Sequence, residues 1–277
     1  MIQTVSIVGC GWLGLPLGEH LLAQDLAVKG STTSPGKIPL LAASGIHPFL
    51  LSLQPQPAPG QLGELHELLD ADLLVIDIPP GVEKQGPSFH PDQIRSLIAR
   101  LPDSPVKKVI YVSSTSVYPE VNREVDEAEP LAGHDPVSTA ILQAEAAVRG
   151  SGRDWVILRC GGLMGYNRIP GKYVAGKKDL RTGDVPVNFV HRDDVVGIIW
   201  EIIRQDVRNQ VYNVVTPLHP KRREVYARNA ADLGYALPEY ADGPVPDHKV
   251  VSCRKLVREL PYAFRYADPL SFPYTPS

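Results

Sequence analysis

The chain is poor in cysteine and carries almost no net charge. Among its 277 residues there are three cysteines, Cys10, Cys160 and Cys253, and 28 basic residues stand against 31 acidic ones. An odd, widely spaced cysteine set without metal-ligand intervals argues against a disulfide framework and places the expected home of the chain in a reducing cytoplasm. A formal charge of -3 sets up no field that would gather nucleic acid or an anionic membrane, so small molecules are the expected partners. The apolar stretch over residues 5–22 could be mistaken for a secretory leader, but it has no basic head and is broken by Gly9, Gly11, Gly14, Pro16 and Gly18, so strand, turn and helix are expected there.

What the chain does have is 43% hydrophobic content, arranged as short β-rich runs alternating with helical stretches. Strands are expected at residues 5–8, 26–29, 49–53, 73–78, 109–112 and 156–158. Between them Leu13, Leu17 and Leu21 recur every four residues, as do Leu65 and Leu69, and Ile94 stands at helical spacing from Leu97, Ile98 and Leu101. Strands joined by crossover helices make an α/β fold with a parallel sheet. After residue 158 the rhythm loosens at Gly161, Gly162, Gly165, Pro170, Gly171, Gly176 and Gly183. Irregular stretches of that length usually carry function or mobility. A strand-helix unit over residues 187–204, a strand at 211–215 and a helix at 222–233 follow. One domain over residues 1–160 is expected, with the remaining sheet elements and a small substrate lobe over 161–277.

Gly9-Cys10-Gly11-Trp12-Leu13-Gly14 is a GxGxxG placed directly after a strand and opening a helix, the context in which this pattern binds a dinucleotide. Gly9 permits the tight turn, Gly11 removes a side chain where backbone approaches pyrophosphate, and Gly14 lets helix and sheet pack closely. Gly9, Gly11, Trp12, Leu13 and Gly14 are therefore candidate cofactor residues, the helix N-terminus offering N–H groups and a positive dipole end to the phosphates. The competing reading is a turn that packs and binds nothing. A site for NAD usually places an acid about 20 residues past the turn to hold the ribose 2′-OH. Here that place reads Gly30-Ser31-Thr32-Thr33-Ser34, with Lys37 soon after. Ser31, Thr32, Thr33 and Lys37 thus favour NADP, with NAD still possible, although the same residues also suit a plain turn before Pro35-Gly36.

With these motifs and the segment Tyr111-Val112-Ser113-Ser114-Thr115-Ser116-Val117-Tyr118, the chain resembles the extended short-chain dehydrogenase/reductase superfamily, and within it the atypical bacterial members. Ile78-Pro79-Pro80-Gly81, Arg159-Cys160-Gly161-Gly162-Leu163-Met164-Gly165 and Val190-His191-Arg192-Asp193-Asp194 fall in the order that superfamily shows. The resemblance covers nearly the whole chain and implies a Rossmann-type, doubly wound parallel sheet. It implies that Pro79 and Pro80 line the cofactor, that Ser114 is the catalytic hydroxyl with Ser113 beside the cofactor, and that Gly161 and Gly162 pass under the nicotinamide. It also implies a Tyr-x-x-x-Lys pair beginning eight residues before Glu145, where this chain has Val137-Ser138-Thr139-Ala140-Ile141. Neither a phenol nor a lysine stands there to do acid-base work.

Other candidates remain open. Ser113, Ser114, Thr115 and Ser116 either orient a carbonyl or only satisfy backbone at a strand end. Arg159 either anchors an anion or sits in a buried ion pair. Tyr166 and Lys172, in the glycine-rich region, are candidate proton donors. For His191 a structural role is favoured over that of a base, and Asp193 or Asp194 is expected to cap the following helix. Two function classes follow: an NAD(P)-dependent oxidoreductase or epimerase-like enzyme acting on a carbonyl or hydroxyl of a small polar metabolite, with a sugar nucleotide as one option, or a non-catalytic NADP(H)-binding sensor or scaffold.

Overall fold

In the computed structural model, which describes residues 2–275, the expected alternation is present. The strands are β1 (Thr4–Val8), β2 (Ala27–Thr32), β3 (His47–Leu50), β4 (Leu73–Ile76), β5 (Lys108–Ser114), β6 (Arg123–Val125), β7 (Asp154–Cys160), β8 (Gly162–Met164), β9 (Phe189–His191), β10 (Gln210–Val214) and β11 (Lys249–Val251). The helices are α1 (Gly14–Leu22), α2 (Ile38–Ala43), α3 (Leu62–Leu69), α4 (Val82–Gln85), α5 (Phe89–Ile98), α6 (Pro136–Arg149), α7 (Arg192–Arg204), α8 (Arg222–Leu233) and α9 (Arg254–Glu259).

Seven strands form one sheet in the order β10-β7-β5-β4-β1-β2-β3. The pairings β3-β2, β2-β1, β1-β4 and β4-β5 all run parallel. Strand order reverses between β1 and β4, the kind of switch point at which open α/β sheets bind ligands beyond the carboxyl ends of their strands. Every residue of β4 is buried, as expected for a central parallel strand covered on both faces. One face is closed by Leu65, Leu68 and Leu69 of α3, Ile94 and Leu97 of α5, and Ala144 and Val148 of α6, against Leu74, Ile76, Val109 and Ile157 of the sheet. Each such leucine or isoleucine contributes roughly 1.5–3 kcal/mol by leaving water. On α1, Leu17 and Leu21 are fully buried.

Strand β3 departs from its expected position at residues 49–53. The ladder ends at the pair Thr32↔Leu50 because β2 itself ends there, with a last bond from Leu51 N–H to the Thr32 carbonyl (3.0 Å). Among the described residues no helix is long and apolar enough to cross a membrane.

The chain divides into two compact units that are discontinuous in sequence: Met1–Val117 with Ala132–Arg159 and Ile199–Val211, and Tyr118–Leu131 with Cys160–Ile198 and Tyr212–Ser277. In the second unit Tyr118–Leu131 is held by β6, whose partner is β11, far along the chain. A small core of Val187, Val225 and Tyr226 is flanked there by Phe189 and Tyr240.

Asp194 corrects one expectation. It lies inside the first turn of α7, and its carboxylate accepts hydrogen bonds from Tyr262 Oη (2.8 Å) and from the backbone N–H groups of Arg265 (2.7 Å) and Tyr266 (3.2 Å). It therefore anchors the segment after α9 and is not a helix cap. Burial raises its pKa although all three donors oppose the shift. Asp194→Ala is expected to lower stability by about 2 kcal/mol, because three part-buried donors lose a buried charged acceptor. Urea melts measure this, and a cost under half that value would return the residue to a surface role.

Candidate functional site

The glycine turn is built by close approaches that only two of its three glycines make. Gly9 has φ +103°, and a Cβ there would lie 2.1 Å from the carbonyl oxygen of Asp77. A Cβ on Gly14 would lie 2.3 Å from the carbonyl oxygen of Gly9, which is how α1 comes so near the turn. Gly11 is different, since the nearest protein atom to its Cβ position is 3.9 Å away. The protein's own packing therefore leaves room for a side chain at 11. The turn is tied to β2 through Cys10 N–H to the Ser31 carbonyl (2.7 Å) and Gly9 N–H to Ser31 Oγ (3.1 Å). Burial, followed by Asp77, pushes the Cys10 thiol up to about 12, so it is no nucleophile at neutral pH.

This turn is the floor of a cleft of about 310 Å³ in the first unit. The end of β2 and the turn after it supply Ser31, Thr32, Thr33, Ser34 and Lys37 to one wall, and residues 51–54 and 77–79 supply another. Gln85, Phe89 and Gln93 of α4 and α5 close the far side. Of the candidate residues, Gly9, Gly11, Ser31, Thr32, Thr33, Lys37 and Pro79 come together here. Leu13 is instead buried in the core, and Trp12 and Pro80 are half-buried outside the cleft lining. Ser31 accepts from Gly9 N–H and Thr32 Oγ1 from Ser34 N–H (3.2 Å), so both hydroxyls brace the rim. Thr33, Ser34 and Lys37 are the exposed polar groups on that wall, with no carboxylate among them. Such a rim presents hydroxyls and a cation to an anion.

Residues 51–54 and 77–79 follow the carboxyl ends of β3 and β4, so the strand-end rule could have found Ser52, Gln54 and Asp77 in the sequence. Gln85, Phe89 and Gln93 carried no such signal.

At the end of β5 the two serines diverge. Ser113 Oγ donates to Glu145 Oε1 (2.7 Å), which also accepts from Arg159 Nε (3.0 Å). Glu145 Oε2 accepts from Arg159 Nη2 (2.8 Å) and Arg149 Nη2 (2.9 Å). Of the two readings of Arg159, the structure shows the buried ion pair. Ser114 points the other way, is half-buried, and accepts from Ser116 N–H (3.1 Å). A hydroxyl that accepts from the main chain keeps its own proton to donate. On α6, Ile141 is buried and Val137 half-buried.

In the second unit, a Cβ on Gly161 would lie 2.3 Å from the Asn188 carbonyl oxygen, and one on Gly162 2.7 Å from the Phe189 ring, so both glycines serve the contact with β9. Tyr166 has φ +52°, and its hydroxyl donates to Asp193 Oδ2 (2.7 Å) while the Arg192 guanidinium lies 4.0 Å over its ring. Burial and Asp193 raise the phenol pKa, so Tyr166 is a weaker acid than a free tyrosine. Lys172 is exposed in the short helical turn Pro170–Val174. His191 is fully buried among the rings of Tyr166, Tyr266 and Phe272 and takes the Asp193 N–H on Nδ1 (3.2 Å). Burial lowers it to about 4, which keeps the imidazole neutral at pH 7.

Comparison with known proteins agrees with this geometry. Residues 9–206 match the family described as NAD(P)H-binding. The protein YeeZ of Escherichia coli strain K12 is 32% identical over 282 residues, covering 98% of this chain and 99% of its own. Among solved structures, the UDP-Glc/GlcNAc 4-epimerase from Campylobacter jejuni superposes with a TM-score of 0.80 at 16% identity, over 97% of this chain and 96% of that one. A short-chain dehydrogenase/reductase superfamily protein from Agrobacterium tumefaciens with bound NAD does so with a TM-score of 0.78 at 15% identity, over 97% and 94%. The chain belongs to the NAD(P)H-binding family, and its fold is that of the short-chain dehydrogenase/reductase and epimerase proteins.

Proposed function

We propose that this protein is an NAD(P)-dependent oxidoreductase or epimerase-like enzyme that favours NADP and acts on a carbonyl or hydroxyl of a small polar metabolite, a sugar nucleotide being the leading class. The observation that carries the reading is Gly11, a glycine that lines a cleft after β1 and whose Cβ position is no nearer than 3.9 Å to any protein atom. The acid-free rim of Thr33, Ser34 and Lys37 supports the preference for a 2′-phosphate. A bound nicotinamide supplies hydride transfer. The chain itself would contribute the phosphate turn, the cationic rim and the Ser114 hydroxyl, whose proton is left to polarise a carbonyl oxygen because its oxygen accepts from Ser116 N–H. The sugar-nucleotide class rests on likeness of fold to the Campylobacter epimerase.

A second reading, a non-catalytic NADP(H)-binding sensor or scaffold, is favoured by Val137 and Ile141 at the place of the usual acid-base pair. Calorimetric titration is expected to show NADPH binding about tenfold tighter than NADH, with Lys37→Ala erasing that difference and leaving NADH unchanged. Equal affinities in the unaltered protein would remove the 2′-phosphate assignment. A panel of sugar nucleotides and small carbonyl compounds with NADPH separates the two readings: turnover supports the enzyme, and tight binding without turnover across the panel supports the sensor.

A further inference from the structure

We propose that His90 is a positioning residue for the dinucleotide cleft, holding Phe89 and Gln93 in its wall through a hydrogen bond to Tyr111; this rests on the NAD(P)H-binding reading. Phe89 and Gln93 both line the cleft, and both lie in the first turns of α5. That helix begins without a side-chain cap at Ser88, so its first turn must be fixed by other contacts. Two are present. His90, which stands between the two cleft residues in sequence and is fully buried, shares a hydrogen bond between Nε2 and Tyr111 Oη at 2.7 Å. The two rings stack with centroids 6.1 Å apart and planes inclined by 29°. Gln93 in turn donates from Nε2 to the Leu53 carbonyl at 2.5 Å, tying α5 to the segment that forms the neighbouring cleft wall.

Tyr111 is buried on β5, the strand that ends at Ser114. Tyr111 belongs to the core cluster that holds Ile94, Leu97, Val109 and Ile157, with the buried Glu145 carboxylate near enough to act on its phenol. Burying an imidazole and a phenol there costs desolvation that a phenylalanine or leucine pair would avoid. What a hydrogen bond adds over apolar packing is a fixed direction, and here it sets the first turn of α5 against the central sheet.

The test uses the full-length chain and NADPH in calorimetric titrations, with thermal melts alongside. His90→Leu and Tyr111→Phe are each expected to weaken NADPH binding about fivefold to tenfold, and the double variant to do no worse than either alone. His90→Gln, whose amide reaches the place of Nε2, is expected to bind within about twofold of the unaltered protein. If His90→Leu does not fold, the comparison of Tyr111→Phe with the unaltered protein decides alone. Unchanged NADPH affinity in folded His90→Leu or Tyr111→Phe, whatever the melting temperature, overturns the positioning role and leaves the NAD(P)H reading intact. Failure of the unaltered protein to bind either NADPH or NADH overturns both.

Discussion

Gly11→Val is expected to fold, to melt within about 4 °C of the unaltered protein, and to lose NADPH affinity by about 100-fold or more. The two halves of this outcome have separate causes. The Cβ position of Gly11 has 3.9 Å to its nearest protein atom, so a side chain meets no wall of the protein. The same side chain would project into the cleft that residue 11 lines, where the approach of phosphate to backbone needs open space. The neighbouring glycines give the contrast. Gly9→Ala would drive a Cβ into the Asp77 carbonyl from a positive φ, and Gly14→Ala into the Gly9 carbonyl, so both are expected to lower stability strongly. Calorimetry and thermal melts on the three variants read out this division. Tight NADPH binding by folded Gly11→Val would remove the turn from the site.

Glu145→Ala is expected to cost about 3–5 kcal/mol of stability. Glu145 is fully buried and satisfies Arg159, itself 3% exposed, through two hydrogen bonds, together with Ser113 and Arg149. Removing the carboxylate leaves a buried guanidinium without its counter-charge, which is worse than never having had the pair. Replacing both partners by apolar residues, as in Glu145→Leu with Arg159→Met, is therefore expected to recover more than half of the loss. Urea denaturation gives the comparison. A cost under about 1 kcal/mol for Glu145→Ala would mean that water reaches Arg159 and that the pair is not the anchor of the β5 and β7 ends.

The parts legible in the sequence were those governed by local rules. Short β-rich apolar runs and apolar residues at helical spacing located most strands and helices, and the glycine turn could be recognised because its place after β1 is a local fact. Long-range partners were not legible. That Asp194 holds residues 262–266, that Ser113 is spent on Glu145, and that β6 pairs with β11 are contacts between segments with no shared pattern. The end of β3 was misplaced because Leu51 and Leu53 look like strand residues; both are buried, but the last bond to β2 is from Leu51 N–H to the Thr32 carbonyl, where β2 ends. The cleft's rim was visible as an acid-free run of hydroxyls, whereas Gln85, Phe89 and Gln93 reach the same space from helices whose spacing reveals only their buried face.

The interleaving of the two units also bears on synthesis. The first unit draws its last segment from Ile199–Val211, and in the second Asn122 is bonded to Asp247, 125 positions later. At roughly 5–20 residues per second, β6 leaves the ribosome about 6–25 s before β11 exists to pair with it. A nascent chain halted near residue 160 would therefore hold a sheet still waiting for β10, and a strand with nothing yet to pair with. No single cut in the gene separates the first unit from the second, because each is assembled from segments on both sides of the other.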